Sequence, residues 1–209
     1  MSEAVPVVHL IDDDTSFLTA TARLLRASGL RVKAFDSAQS FLEYLHAEVF
    51  GCVVVDLNMP GMTGPDLQAA LGEAGCALPI IFLTGQGDIP TTVRAIRSGA
   101  EDYLEKRVPK EQLLAAIGRA VDRNAREQAE HSRLRETRAR FNSLSDRERE
   151  VFEHVVQGKL NKQIAADLGI HERTVKLHRT AITTKLRLPS VAELTVLAHQ
   201  VGVIPNQGT

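Results

Sequence analysis

The feature that most constrains this chain is a series of short apolar runs, each ending in a turn or a polar residue and each followed by a helical stretch. Val5–Ile11, Arg31–Phe35, Cys52–Leu57, Pro79–Thr84 and Asp102–Lys106 have the length and the β-branched or aromatic content of strands. Val53-Val54-Val55 is apolar without alternation, as a strand covered on both faces must be. Phe17, Leu18, Ala22, Leu24 and Leu25 form a helical stripe that stops at Gly29. Ser40–His46, Leu67–Leu71 and Pro90–Ser98 read as further helices, and Glu111–Val121 begins a last one. Strands alternating with helices through short loops predict an α/β, doubly wound, five-stranded parallel sheet over residues 1–120.

In such a sheet, ligands bind at the carboxyl ends of the strands near a topological switch point. Here those ends carry Asp12, Asp13, Asp56, Thr84 and Lys106. Clustered carboxylates repel one another unless a cation or proton intervenes. A set made only of oxygen ligands suits Mg²⁺, which commonly pairs with phosphate. A cation there would let one carboxylate attack phosphorus in line and form an acyl phosphate. A lysine and a hydroxyl placed opposite would stabilise the transferring oxygens. Asp14 sits where a helix N-cap is needed, and capping is the simpler reading of it.

Residues 121–141 are almost entirely polar and lack Gly and Pro. Asp122–Arg126, Arg123–Glu127, Arg126–Glu130 and Glu136–Arg140 are opposite charges at i,i+4, which predicts a solvated helical linker. A heptad series through Leu113, Ile117, Ala120, Asn124, His131, Leu134 and Phe141 is broken by polar positions, so a long coiled coil is not expected. From Leu144 the pattern is helical throughout. Ser145-Asp146-Arg147-Glu148 is a capping box, with Val151, Phe152, Val155 and Val156 inward and Gly158 as the stop. Asn161–Leu168, Glu172–Leu186 and Ser190–Gln200 complete an all-α, four-helix unit over 142–209.

In the third of these helices Val175, Ile182 and Leu186 form a core stripe, and Arg173, Lys176, Leu177, Thr180 and Thr184 lie opposite. A helix presenting such residues from its N-terminal half suits entry into a major groove of DNA, although on spacing alone solvation is the usual explanation of such a face. Lys176 would reach guanine edges or a phosphate, and Leu177 a thymine methyl. Arg179, Lys185 and Lys162 are expected on phosphates. His178 lies near the core stripe and suits packing or a phosphate contact. His171 stands in place of a Ser or Asp N-cap, which predicts a weak helix start.

Residues 1–120 carry 10 Lys/Arg and 15 Asp/Glu; 121–141 carry 6 and 4; 142–209 carry 9 and 7. An acidic front and a mildly basic back suit a cation-binding unit followed by one for a polyanion. No apolar run reaches the ~20 residues of a membrane span. The N-terminus lacks a basic start followed by an apolar stretch, so no secretory signal is expected. Cys52 and Cys76 fit neither a disulfide framework nor a zinc site, and two buried thiols in a reducing cytoplasm are expected.

Ile11-Asp12-Asp13-Asp14, Val55-Asp56-Leu57-Asn58-Met59-Pro60-Gly61-Met62-Thr63-Gly64, Phe82-Leu83-Thr84-Gly85 and Tyr103-Leu104-Glu105-Lys106 resemble the flavodoxin-like receiver domain of response regulators. Asn161–Ile170 with Arg173-Thr174-Val175-Lys176-Leu177-His178 resembles the LuxR/NarL-type helix-turn-helix. Together they resemble the FixJ/NarL class of two-component response regulators, with Gly87-Asp88-Ile89-Pro90 closest to the FixJ branch.

The resemblance implies that Asp56 is the phospho-acceptor, with Asp13 a direct Mg²⁺ ligand, Asp12 a ligand through water and the Asn58 carbonyl completing the site. It implies that Thr84 and Lys106 hold the phosphoryl group, that Tyr103 is an aromatic switch and that Gly85 keeps access open. It places Thr174 on DNA with the residues already named. The implied partners are a sensor histidine kinase, an operator in double-stranded DNA, a second copy of the chain on activation and, left open, RNA polymerase; a membrane is not among them. One departure stands out: the family usually has Pro after the lysine, in a cis bond, and here Arg107 follows. A cis bond to a non-proline residue costs ~2.5–4 kcal/mol, so Lys106–Arg107 is expected to be trans.

Two other readings stay open on sequence alone: a regulator that binds DNA independently of phosphate, and an aspartate-based Mg²⁺-dependent phosphohydrolase. The second usually needs an Asp where Asn58 stands. An RNA-binding antiterminator would carry a different three-helix unit.

Overall fold

The structure is a computed structural model that describes residues 5–45, 49–85 and 100–203. The chain divides into two compact units, Met1–Ala129 and Glu130–Thr209. The expected helix Pro90–Ser98 and the segment Gly87–Pro90 lie outside the described residues.

In the first unit, β1 (Val7–Ile11), β2 (Arg31–Phe35), β3 (Gly51–Asp56), β4 (Ile80–Thr84) and β5 (Asp102–Glu105) form one parallel sheet in the order β2-β1-β3-β4-β5. Helices α1 (Thr15–Ala27), α2 (Ala38–Tyr44), α3 (Gly64–Glu73) and α4 (Lys110–Asn142) connect or follow these strands. The doubly wound sheet predicted from the pattern is present.

Side-chain alternation explains why the strands read as continuously apolar. Val8, Leu10, Cys52, Val54, Ile81 and Leu83 face a core shared with α1 and α4 through Leu18, Leu25, Leu113 and Ile117. Ile11, Val53, Val55 and Phe82 face the other core, with Phe41 of α2 and Leu67 and Leu71 of α3. Each strand is needed by both layers, so the register is firmly held. Gly51 opens β3 at φ +137°, where a Cβ would lie 1.9 Å from the Val7 carbonyl oxygen, so only glycine fits. Cys52 is buried and its thiol is pushed up to about 12 by burial, but Cys76 is only half-buried, contrary to the expectation for it. Cys76 follows the turn after α3, where packing is one-sided.

Helix α4 runs through the polar stretch to Asn142 without a break. Two of the four anticipated pairs form, Arg123–Glu127 at 2.8 Å and Arg140–Glu136 at 2.5 Å. Arg126 instead reaches the Asp122 carbonyl oxygen. Asn124, a break in the heptad series, is buried. It accepts from the Gly51 N–H at 3.1 Å and donates to the Ala77 carbonyl at 3.3 Å. Gln128 donates to the Val49 carbonyl at 3.1 Å. The contacts of the first unit thus continue past residue 120.

The second unit contains α5 (Asp146–Val156), α6 (Asn161–Leu168), α7 (Glu172–Leu186) and α8 (Val191–Val201) among the described residues. Its core joins Val151, Phe152, Val155, Ile164, Val175, Ile182, Leu186, Leu194 and Leu197. Ser145 and Glu148 form the anticipated capping box at α5. Gly169 ends α6 in the left-handed region at φ +62°. No helix among the described residues is long and apolar enough to cross a membrane.

Candidate functional site

Sheet register assembles the first site. Ile11 pairs with Val55, so Asp12 and Asp56 follow one another at neighbouring strand ends. Thr84 pairs with Glu105, and the Lys106 N–H donates to the Thr84 carbonyl at 2.7 Å, which brings Lys106 to the same edge. Gly64 lets α3 approach closely, since a Cβ there would come within 2.8 Å of the Asp56 carbonyl oxygen and the Phe82 ring.

Asp12 is fully buried, Asp56 is 6% exposed and Asp13 is exposed; one carboxylate oxygen from each lies within 4.8 Å of the others. Lys106 places its ammonium 2.7 Å from Asp12 Oδ2 and 3.2 Å from Asp56 Oδ2. Burial holds the Asp12 carboxyl above the ordinary range, opposed by Lys106 and by the Asp14 N–H, while Asp56 pushes it further up. Burial pulls the Lys106 ammonium down, but Asp12 and then Asp56 outweigh it and leave it above its ordinary value. Three clustered carboxylates, two of them facing one ammonium, leave excess negative charge, and an all-oxygen donor set of this kind fits a hard dication.

Asp14 caps α1, accepting from the Ser16 and Phe17 N–H groups. There is no cis peptide bond among the described residues, so Lys106–Arg107 is trans as expected, and Lys106 still reaches both carboxylates. Thr84 is buried at the end of β4, with Gly85 exposed beside it. Asn58 is exposed in the turn two residues beyond Asp56. Tyr103 is half-buried against the core of Phe82 and Val55, and its hydroxyl has no hydrogen-bond partner among the described residues.

In the second unit, α7 buries Val175, Ile182 and Leu186 and exposes Arg173, Lys176, Leu177, Thr180 and Thr184. Leu177 is 65% exposed. Lys176 meets Glu172 at 3.6 Å on the surface, and Lys162 is exposed at the start of α6. Thr174, His178 and Arg179 are half-buried, and Arg179 donates to Asn161 Oδ1 at 3.0 Å. The His171 side chain makes no capping bond, in line with the weak start expected. Lys185 is different: its ammonium lies 2.7 Å from the buried Glu148 carboxylate. The structure therefore gives it a partner inside the unit that sequence reasoning missed. Asn124 was missed too; the signal available was an amide standing where the apolar series of α4 called for a core residue.

Residues 8–118 match the response regulator receiver domain, and residues 142–198 match the luxR family of bacterial regulatory proteins. The chain belongs to the two-component response regulators, joining a receiver domain to a LuxR-type DNA-binding domain. It is 42% identical over 194 residues to the response regulator protein TmoT of Ectopseudomonas mendocina, covering 93% of this chain and 88% of that protein. It is 40% identical over 205 residues to the transcriptional regulatory protein FixJ of Azorhizobium caulinodans, covering 98% and 97%. Among solved structures, the response regulator StyR matches with a TM-score of 0.87 at 41% identity, covering 94% of this chain and all of that one.

Proposed function

We propose that Asp56 accepts a phosphoryl group from a sensor histidine kinase and that this modification controls operator binding by the second unit. The observation that carries the reading is the convergence of Asp12, Asp13, Asp56 and Lys106 at one sheet edge. Asp12, Asp13, Asp56 and the Asn58 carbonyl would hold Mg²⁺. Bound there, the ion would neutralise the carboxylates and screen the approaching phosphoryl oxygens. An Asp56 carboxylate oxygen forms the new bond to phosphorus while the bond to the donor breaks, and the donor leaves with that electron pair. Thr84 and Lys106 hold the transferred oxygens.

Tyr103 then responds to the displacement of Thr84. The face around Tyr103 and residues 111–119 pairs with a second copy. Pairing raises the effective concentration of two weak DNA-binding units on neighbouring half-sites. In α7, Lys176 and Leu177 read bases, with Arg173, Thr174, Thr180 and Lys162 alongside. His178 and Arg179 serve the backbone or packing, and Lys185 acts chiefly through Glu148. Residues 130–141 form the linker, since Asn124 and Gln128 belong with the receiver. RNA polymerase is the natural downstream partner, and the cytoplasm the compartment.

One experiment covers both units. Wild type, Asp56→Asn and Lys176→Ala are treated with acetyl phosphate and Mg²⁺, followed by mass spectrometry and gel-shift titration. Asp56→Asn should lose the added phosphate and the phosphate-dependent gain in affinity. Lys176→Ala should keep the phosphate and lose ~1–3 kcal/mol of DNA binding in either state. Unchanged labelling of Asp56→Asn, or unchanged DNA binding by Lys176→Ala, overturns the corresponding half.

A further inference from the structure

We propose that Phe17 is a positioning residue for Lys106: its ring fixes the ammonium over the acidic cluster and so sets how well Lys106 holds an incoming phosphoryl group. The proposal rests on Asp56 being the acceptor.

Phe17 lies in the first turn of α1. Its N–H donates to the Asp14 carboxylate at 3.1 Å, so the N-cap that starts the helix also fixes where the ring begins. The ring is half-buried against the core shared by α1 and α4. The Lys106 ammonium sits 4.8 Å from its centroid, within the range in which an aromatic face attracts a cation.

Lys106 needs such a contact. Its stem is flexible and costs rotamer entropy to hold in one place. Arg107, not proline, follows it, and the peptide bond is trans, so the backbone beyond β5 lacks the restraint that a proline ring imposes. Among the described residues, Asp12, Asp56 and the Phe17 ring hold the ammonium. The two carboxylates are the groups a dication would also claim. Once they are neutralised, their pull on the lysine weakens. The ring is the one contact of the three that is not an oxygen ligand, so it goes on holding Lys106 when the carboxylates are engaged.

The test uses the full chain with acetyl phosphate and Mg²⁺, and times phosphorylation on phosphate-affinity gels. Phe17→Leu keeps apolar bulk without a π face, and Phe17→Tyr keeps the face. Each is made alone and together with Lys106→Met. Phe17→Leu should slow phosphorylation about three- to tenfold, and Phe17→Tyr should restore the wild-type rate. In the Lys106→Met background Phe17→Leu should have no further effect, since the two changes act through one contact. Calorimetric beryllofluoride affinity repeats the cycle where Lys106→Met reacts too slowly to time. A wild-type rate in Phe17→Leu overturns the proposal, as does an equal slowing with and without Lys106. No labelling of the wild type would overturn the acceptor reading and this inference together. Labelled wild type with indifferent Phe17 variants would overturn this inference alone.

Discussion

Asp12, Asp56 and Lys106 meet from the ends of three separate strands, whereas Arg173, Lys176, Leu177 and Thr180 share two turns of one helix. The first set is largely buried and exists only while the register of β1, β3 and β5 holds. The second is exposed and exists wherever α7 is helical and seated by Val175, Ile182 and Leu186. A site assembled across a sheet inherits the stability of the whole sheet. A site written along a helix inherits only the helix and its seat. Substitutions far from the acidic cluster should therefore reach it through the strands, while the exposed face of α7 should be indifferent to most of them.

The largest effect expected from such a remote change is at Asn124. Its amide satisfies the Gly51 N–H, at the first residue of the strand that ends in Asp56, and the Ala77 carbonyl just before β4. Asn124→Leu would leave these backbone groups without their partner, at ~1–3 kcal/mol for each group that stays buried and unpaired. Calorimetry of the full chain should show a lowered transition for the receiver, with that of the DNA-binding unit unmoved. Gel shifts with fragment 142–209 give the reference for intact DNA binding. Equal destabilisation of both units would break the contrast drawn above.

Asn124 also marks where the sequence stopped being legible. Strand ends were readable because a carboxylate after three valines has no structural excuse, and β1 and β3 duly bring Asp12 and Asp56 together. The seat of α7 was readable because helical spacing separates Val175, Ile182 and Leu186 from Lys176 and Leu177. A polar residue inside an amphipathic helix carries no such sign: Asn124 reads as an interruption until the loops it caps are in view. The partner of Lys185 was missed for the mirror reason. A lysine in the last turn of a helix has one appearance whether it faces solvent or Glu148, and Glu148 was already accounted for as the capping partner of Ser145. Cys76 looked like a core thiol because sequence does not say which side of a turn is covered.

A smaller effect should separate the units in the other direction. Arg187 ends α7 at φ +57° and is the one non-glycine residue with positive φ among the described residues. The left-handed conformation costs an ordinary residue ~1–2 kcal/mol relative to glycine. Arg187→Gly recovers part of that cost and also enlarges the freedom of the unfolded chain. The net expectation is a gain of about 1 kcal/mol for the DNA-binding unit, read in a urea titration, and no change in the receiver. A destabilised unit would show that the arginine side chain contributes more than its backbone costs.

The smallest effect at neutral pH, growing only on acidification, belongs to His9. It is buried in β1 beside the rings of Phe35, Phe41 and Tyr44, with Nδ1 3.2 Å from the Cys52 carbonyl oxygen. Burial keeps its imidazole below the ordinary 6.5, aided by Lys33 and opposed by the Cys52 carbonyl. The unfolded chain therefore binds a proton at His9 before the folded one does, and receiver stability should fall as pH drops below 6.5 towards the folded value. Glu148 in the second unit works in a lower window. Burial pushes its carboxyl up, but Lys185 and the Ser145 groups outweigh burial and leave it below 4.5. Its contribution is complete above 4.5 and is lost only as pH falls through the lower, folded value. Asp12, raised by burial, acts in the opposite sense: the folded chain binds its proton first, so it adds stability as pH falls through its raised folded value. Melting followed from about pH 7.5 to about pH 5.5 should move the receiver transition down and leave the other in place. His9→Phe should flatten that slope; a slope that survives the substitution would assign it to another group.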